Sequence, residues 1–299
     1  MTAVNGNGSV NGNAEAPQSW TIGSLVKWAV DDFRTRGIEN PRLDAELIVS
    51  HALGITRTQV ITERDRPLDT SDLERLRGFV KRRRAHEPMA YLRGEREFYG
   101  RPFRVDSRVL VPRPDTEALI EVALRRTSHV SLSARVLDMC TGSGCVAVTF
   151  AKERPTSDVL ATDISEDALA VAKDNAARLG ALRCAFRKSD LFGAVTGKFE
   201  LITANPPYIA TPEIATLQDD VRKWEPHLAL DGGEDGMGII RSIVKDAGSF
   251  LVHRGALAME VGFGQAARVA ELFRDAGYED VSVERDYARI ERVVSGVRG

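Results

Sequence analysis

Four residues, Asn205, Pro206, Pro207 and Tyr208, close the apolar run LITANPPYIA, and their types suit one kind of chemistry. The side-chain oxygen of Asn205 and the backbone carbonyl of Pro206 can accept both hydrogens of a planar NH2 group, turning its nitrogen lone pair toward an electrophile. The prolines can neither donate to a sheet ladder nor continue a helix, so they fix an extended exit that holds the amide at a strand end. Tyr208 offers an aromatic face to a flat substrate group. The structural alternative is a proline-terminated strand with a buried tyrosine.

A second constellation lies upstream. In VLDMCTGSGCVAV, residues Cys140, Thr141, Gly142, Ser143 and Gly144 turn a strand into a helix. Glycines there let the backbone approach a ligand, and the helix N-terminus favours polar or anionic groups. With Ala147 the run matches GxGxxA, and Asp163 ends the next strand, about where a ribose-binding carboxylate belongs. Asp163 also reads as the neighbour of a helix capped by Ser165. Alone, these features admit NAD, FAD or S-adenosylmethionine. NPPY, which a dehydrogenase has no need of, favours the last.

Positioning these residues requires a sheet. ARVLDMC, DVLATD, LRCAFR, FELITAN and ALAMEV read as short buried strands. Helical stretches run from Gly144 to Glu153, Ser165 to Leu179, Gly236 to Leu251 and Gln265 to Ala276. That alternation predicts an α/β fold with a mostly parallel, seven-stranded sheet covered on both faces. VSVERD and ARIERVVSG have almost nothing between them, which forces an antiparallel hairpin at the sheet edge. Both motifs then meet in the crevice outside the carboxyl ends of the strands. Before the first strand, PRPDTE reads as a stiff loop in which Asp115 caps the helix TEALIEVALRR.

Residues 20–92 read instead as a small helical domain. Its first helix carries Ile22, Leu25, Val26, Ala29, Val30 and Phe33 on one face. The second starts at Asn40 and Pro41 and stops at Gly54. The third opens on a capping box from Ser71 to Glu74 and ends before Pro88. Lys81 to Arg84 read as a solvated helix end complementing the macrodipole, with an acidic or RNA-associated partner as the sharper alternative. Residues 93–106 form a linker hairpin around Gly100, and residues 107–299 the α/β domain. The Asn/Gly-rich residues 1–19 read as a disordered tail.

Composition narrows the class. The chain has 299 residues, 43% hydrophobic and 28% charged, with a formal net charge of -2. That balance argues against a protein whose affinity is mostly phosphate neutralisation. Three cysteines without a CxxC pair suit a reducing cytoplasm, and no run of 18 apolar residues suggests a membrane span. A monomeric protein without direct nucleic-acid binding is expected.

PMAYLRGEREFYG, VLVPRPDTEALIE, TDISEDALAVAKDNA, SDLF, NPPYI, WEPHLALDGGEDG and RVVSG together resemble the PrmC/HemK family, the glutamine N5-methyltransferases of peptide chain release factors. The similarity runs from about Ile22 to Gly296. It implies a class I methyltransferase using S-adenosylmethionine, with a helical domain that helps recognise the release factor. It also implies that Cys140 to Gly144 pass around the methionine part of the cofactor, Asp163 holds the ribose and Leu191 lies near adenine. Asn205 to Tyr208 would hold the glutamine of a Gly-Gly-Gln motif in class-1 release factors. The family usually has glycine where this chain has Cys140, so a Cβ there narrows the cofactor's space. Rival expectations are an adenine-N6 methyltransferase of nucleic acid, which shares NPPY, and an NAD- or FAD-binding oxidoreductase.

Overall fold

The computed structural model describes residues 20–130 and 133–299. The tail expected to be disordered, residues 1–19, lies outside the described residues. Contacts divide the chain into two units, one ending at Ala85 and one from His86 to Gly299. The division therefore falls before residue 92.

The first unit is helical. Helix α1 (Ile22–Thr35) starts with a capping box between Thr21 and Ser24 and buries Ile22, Leu25, Ala29 and Phe33. Helix α2 (Pro41–Leu53) ends at Gly54, whose φ of 65° is left-handed. Short α3 (Arg57–Thr62) follows, and α4 (Thr70–Arg84) closes the unit. The start of α4 corrects the expected Ser71 cap. Asp69 caps it, accepting from the Asp72 amide at 2.8 Å, while the Ser71 hydroxyl donates to the same carboxylate. A carboxylate at that position also meets the positive end of the helix dipole.

The basic run is not a simple solvated end. Arg83 is buried and its Nε donates to Asp44 at 2.8 Å, tying α4 to α2. Arg84 grips Asp32 of α1 with two nitrogens and lies 5.2 Å over the Trp28 ring. Breaking a buried pair from one side typically costs about 3–5 kcal/mol, so Arg83 is internal structure, while Arg84 is half-buried and Lys81 and Arg82 are exposed.

The second unit opens with α5 (Met89–Arg93) and the hairpin β1 (Glu95–Phe98) and β2 (Arg101–Arg104). Its two turn residues, Tyr99 and Gly100, both have positive φ, the backbone a two-residue hairpin needs. A 3-10 turn, Pro114–Thr116, runs directly into α6 (Glu117–Arg126), so Asp115 caps nothing. Its carboxylate pairs with Arg292 at 3.1 Å instead.

Then come β3 (Arg135–Met139), α7 (Cys145–Glu153), β4 (Asp158–Asp163), α8 (Glu166–Leu179), β5 (Cys184–Lys188) and β6 (Phe199–Ala204). They are followed by α9 (Asp219–Trp224), α10 (Gly238–Ala247), β7 (Leu251–Glu260), α11 (Ala266–Asp275), β8 (Tyr278–Arg285) and β9 (Glu291–Arg298). The sheet order is β5-β4-β3-β6-β7-β9-β8, parallel from β5 to β7, with β9 antiparallel to both β7 and β8. The hairpin thus closes one edge, as its short connection requires.

Side-chain alternation builds the two layers that cover the sheet. Val136 and Leu201 belong to the core that contains Leu119, Val148 and Phe150, whereas Leu137 and Ile202 belong to the opposite one with Ile240, Ile243 and Phe273. Strand order reverses between β3 and β6, which puts a crevice at their carboxyl ends. Met139 pairs with Ala204 across that seam. Cys140 and Asn205 therefore leave the sheet side by side.

Candidate active site

The crevice holds a cavity of about 180 Å³, lined on one side by the glycine turn and on the other by the end of β6. Cys140, Thr141, Gly142, Ser143, Asp163, Leu191, Asn205 and Pro207 all line it. Gly144, Pro206 and Tyr208 are not among the residues that line it.

The turn is left-handed at three places, Cys140, Gly142 and Gly144, with φ of 54°, 54° and 79°. Gly144 is required sterically as well, since a Cβ there would lie 3.0 Å from that of Ala172 in α8. A Cβ on Gly142 would meet nothing within 4 Å, so that backbone borders open space. Cys140 carries a side chain in a conformation that normally costs an L-residue about 1–2 kcal/mol. Burial, reinforced by Asp163 and Asp138, pushes its thiol pKa up, so it stays protonated.

Buried carboxylates hold the turn. Asp138, next to the last residue of β3, accepts from the Thr141 hydroxyl at 2.6 Å and the Thr203 hydroxyl at 2.7 Å. Burial raises its pKa to about 6 against those two hydrogen bonds. Asp163 accepts from the amides of Gly142 and Ser165, both at 2.9 Å. Ser165 also caps α8 through the Ala168 amide, so the capping and cavity-lining readings of this corner hold together. Two hydrogen bonds leave an ionised carboxylate with acceptor capacity for a diol. Leu191, at φ 44°, is pinned by the Ser189 hydroxyl donating to its carbonyl at 2.7 Å.

Asn205 faces this arrangement with its amide already half engaged. Its Nδ2 donates to Thr116 Oγ1 at 3.3 Å, and its Oδ1 has no hydrogen-bond partner among the described residues. Behind it, NPPY is clamped through its backbone. Gln265 donates from Nε2 to the Tyr208 carbonyl at 2.9 Å, and Ile209 exchanges backbone hydrogen bonds with Leu230 and Gly232. A Cβ on Gly236 would stand 2.4 Å from the Tyr208 carbonyl oxygen. The DGGEDG segment must therefore be glycine where it passes NPPY. The Tyr208 hydroxyl donates to buried Glu260 at 3.4 Å, which anchors the ring from behind NPPY.

Comparison with known proteins gives this geometry a lineage. Residues 24–94 match the family model described as PrmC N-terminal domain, and residues 115–233 match the methyltransferase small domain. The release factor glutamine methyltransferase of Geobacter sulfurreducens is 42% identical over 282 residues, covering 94% of this chain and 98% of that protein. The one from Chlorobaculum tepidum is 40% identical over 286 residues, 92% and 97% of the two chains. The chain belongs to the release factor glutamine methyltransferase family. A methyltransferase structure from Pyrococcus furiosus, 18% identical with a TM-score of 0.50, covers 68% of this chain and 91% of its own and shares the fold. Family membership sets aside the oxidoreductase and nucleic-acid methyltransferase readings.

Several residues of this glutamine methyltransferase family member were not evident as site residues from motif spacing. Arg113 and Thr116 line the cavity. Arg113 donates to Glu225 at 2.6 Å, and burial lifts the Glu225 pKa to about 7 despite that cation. Glu225 Oε2 and Glu260 Oε2 are buried without a hydrogen-bond partner. A usable signal existed for Asp138 and Glu260: each is a lone carboxylate in or closing an apolar stretch of its strand, VLDM and ALAME, where charge is costly. Among the described residues no His, Cys, Asp and Glu cluster could hold a metal, and no helix is long and apolar enough to cross a membrane.

Proposed function

We propose that this protein transfers the methyl group of S-adenosylmethionine to the side-chain amide nitrogen (N5) of the glutamine in the Gly-Gly-Gln motif of class-1 peptide chain release factors, acting in the cytoplasm as a monomer. The observation that carries the reading is Asn205, whose carboxamide oxygen is unpartnered at the lip of the cavity bordered by the glycine turn. The relatives' names supply the substrate class, and the helical unit is the part matched by the family's N-terminal model.

The residues present fit the cofactor. Open space over Gly142, residual acceptor capacity on Asp163 and the apolar side chain of Leu191 suit, in turn, a charged methionine part, ribose hydroxyls and a purine. When bound, S-adenosylmethionine supplies an electrophilic sulfonium methyl. An amide nitrogen is a poor nucleophile because its lone pair is delocalised into the carbonyl. Asn205 Oδ1 and the Pro206 carbonyl would accept its two N–H bonds, raising electron density on nitrogen and fixing its approach. Pro207 and the clamped backbone behind it hold those acceptors still. The nitrogen gains a methyl and releases its proton afterwards, so no strongly basic side chain is needed and the Cys140 thiol takes no part.

The test is direct. Incubated with S-adenosylmethionine and a bacterial release factor, the protein should add one methyl to the Gly-Gly-Gln glutamine, mapped by tandem mass spectrometry. Asn205→Ala should lose about 10²-fold or more in turnover while keeping affinity for S-adenosylhomocysteine. A methyl on any other residue, or full activity in Asn205→Ala, would sink the assignment.

A further inference from the structure

Resting on the reading above, the role of Asn205 depends on which end of its carboxamide faces the substrate. Oxygen and nitrogen have nearly the same shape, so the hydrogen-bond network alone decides. Thr116, 1% exposed, is the partner of Nδ2. A threonine hydroxyl has a single hydrogen, and it can accept from Asn205 freely only if that hydrogen points elsewhere.

Glu260 provides the elsewhere. The last residue of β7, it is 1% exposed, does not line the cavity, and is used by no step of the transfer. Its Oε1 accepts from the Tyr208 hydroxyl at 3.4 Å. Its Oε2 is buried without a hydrogen-bond partner, and Thr116 is among the groups that lower the Glu260 pKa, so that hydroxyl is the donor available to it. We propose that Glu260 is a positioning residue: by drawing the hydrogens of Thr116 and Tyr208 to itself, it orients the Asn205 carboxamide with Oδ1, not Nδ2, toward the substrate amide.

An ionised carboxylate only accepts, so a chain that Thr116 completes by donating to the unpartnered Oε2 of Glu260 runs one way, from Asn205 Nδ2 to Thr116 and on to Glu260. A protonated Glu260 can donate to Thr116, whose hydrogen then turns to Asn205 and selects the flipped amide. The flipped amide sets a donor against the donors of the substrate. Glu260 is poised for this change, since burial pushes its pKa up to about 7. The groups around it are Asp115 and Thr116 from the turn before α6, Tyr208 from NPPY, Cys145 at the start of α7 and Arg292 from β9. Arg292 lowers the pKa, but its guanidinium is shared with Asp115 and Asp286, each at 3.1 Å. Asp115 works in the opposite direction.

Methyl transfer to a release factor is measured between pH 5.5 and 8.5 for the wild type, Glu260→Gln and Thr116→Val. In the wild type, kcat should fall on the acid side with a midpoint near 7. Glu260→Gln presents an NH2 that can lock the chain in reverse, so kcat should drop about 10²-fold, the cost of a misdirected reacting group. Its acid limb should vanish, and its S-adenosylhomocysteine affinity, read by calorimetry, should stay within twofold of wild type. Thr116→Val cuts the chain and should also lose the acid limb, which keeps the inference testable if the glutamine variant does not fold. Full activity in Glu260→Gln, or an acid limb that persists in Thr116→Val, would overturn this inference alone. A wild type silent at every pH would remove the proposed function and this inference with it.

Discussion

Replacing Cys140 by glycine and by alanine should invert the usual ranking of those two residues. At ordinary φ, glycine is the less stable by about 0.5–1 kcal/mol, because it loses more backbone freedom on folding. At Cys140 φ is 54°, where a Cβ costs an L-residue about 1–2 kcal/mol and glycine nothing. The two effects oppose each other, leaving glycine favoured over alanine by about 0.5–1 kcal/mol. Both variants lose the sulfur, so its contribution cancels in the difference. Urea unfolding followed by Trp224 fluorescence, in a background lacking Trp20 and Trp28, reads the second unit alone. Alanine as stable as glycine, or more so, would refute the claim that this position stores strain. The same comparison bears on function, since Cys140 lines the cavity. Glycine should keep or improve S-adenosylhomocysteine affinity, because it removes atoms from the cofactor's side of the turn.

Gly236→Ala should cost about 2–5 kcal/mol and impair transfer, by combining a left-handed φ of 70° with a Cβ 2.4 Å from the Tyr208 carbonyl. Gly233→Ala, at φ 89° but with nothing within 4 Å of its Cβ, should cost only about 1–2 kcal/mol, so equal urea midpoints for the two would refute the clash. The second unit should also lose stability as pH rises from about 5 to 8. Glu225 is raised from 4.5 to about 7, so between those values the folded state binds the more protons. Its contribution is complete below 4.5 and is lost through about 7, on the order of 3 kcal/mol at about 1.4 kcal/mol per pKa unit. Glu225→Gln should make that slope shallower, the rest belonging to Glu260 and Asp138, raised to about 7 and about 6, and a urea midpoint that climbs over this window would contradict the assignment. Depressed groups such as Asp219, held at about 2 by Lys223 and Arg222, act only below it.

The strands and the helices that cover them were legible because each is a short apolar run bounded by glycine or proline, and the βα alternation admits few arrangements. Legibility failed where a residue's partner is distant in sequence. Asp115 has a good capping type at a helix start, yet Arg292 claims it from β9. Lys81 to Arg84 look like a solvated terminus, but Asp44 and Asp32 on other helices bury Arg83 and half-bury Arg84. Tyr208 has a substrate-sized ring, and only β7 reveals that its hydroxyl is committed to Glu260. Local rules see one element at a time, whereas ion pairs and polar networks are decided between elements. For the same reason NPPY alone does not explain its own rigidity, which comes from Gly232 and Gly236 letting one segment approach its backbone and Gly262 letting another approach the Tyr208 ring.

Glu260 joins these threads, because the feature that makes it expensive also makes it useful. A neutral residue in its place would spare the fold a buried carboxylate whose ionisation is opposed by desolvation and by Asp115. Apart from the weak thioether of Met, however, no neutral side chain accepts hydrogen bonds without also carrying a donor, and a chain that must run in a single direction needs an end that only accepts. The fold compensates in part with Arg292, held at a distance by two other acids, so the carboxylate is neither neutralised by a direct pair nor left without a counter-charge. Stability and activity should therefore move oppositely with pH near 7: ionising Glu260 weakens the fold while it directs the Asn205 amide. A buried carboxylate that served only packing would show the first trend without the second.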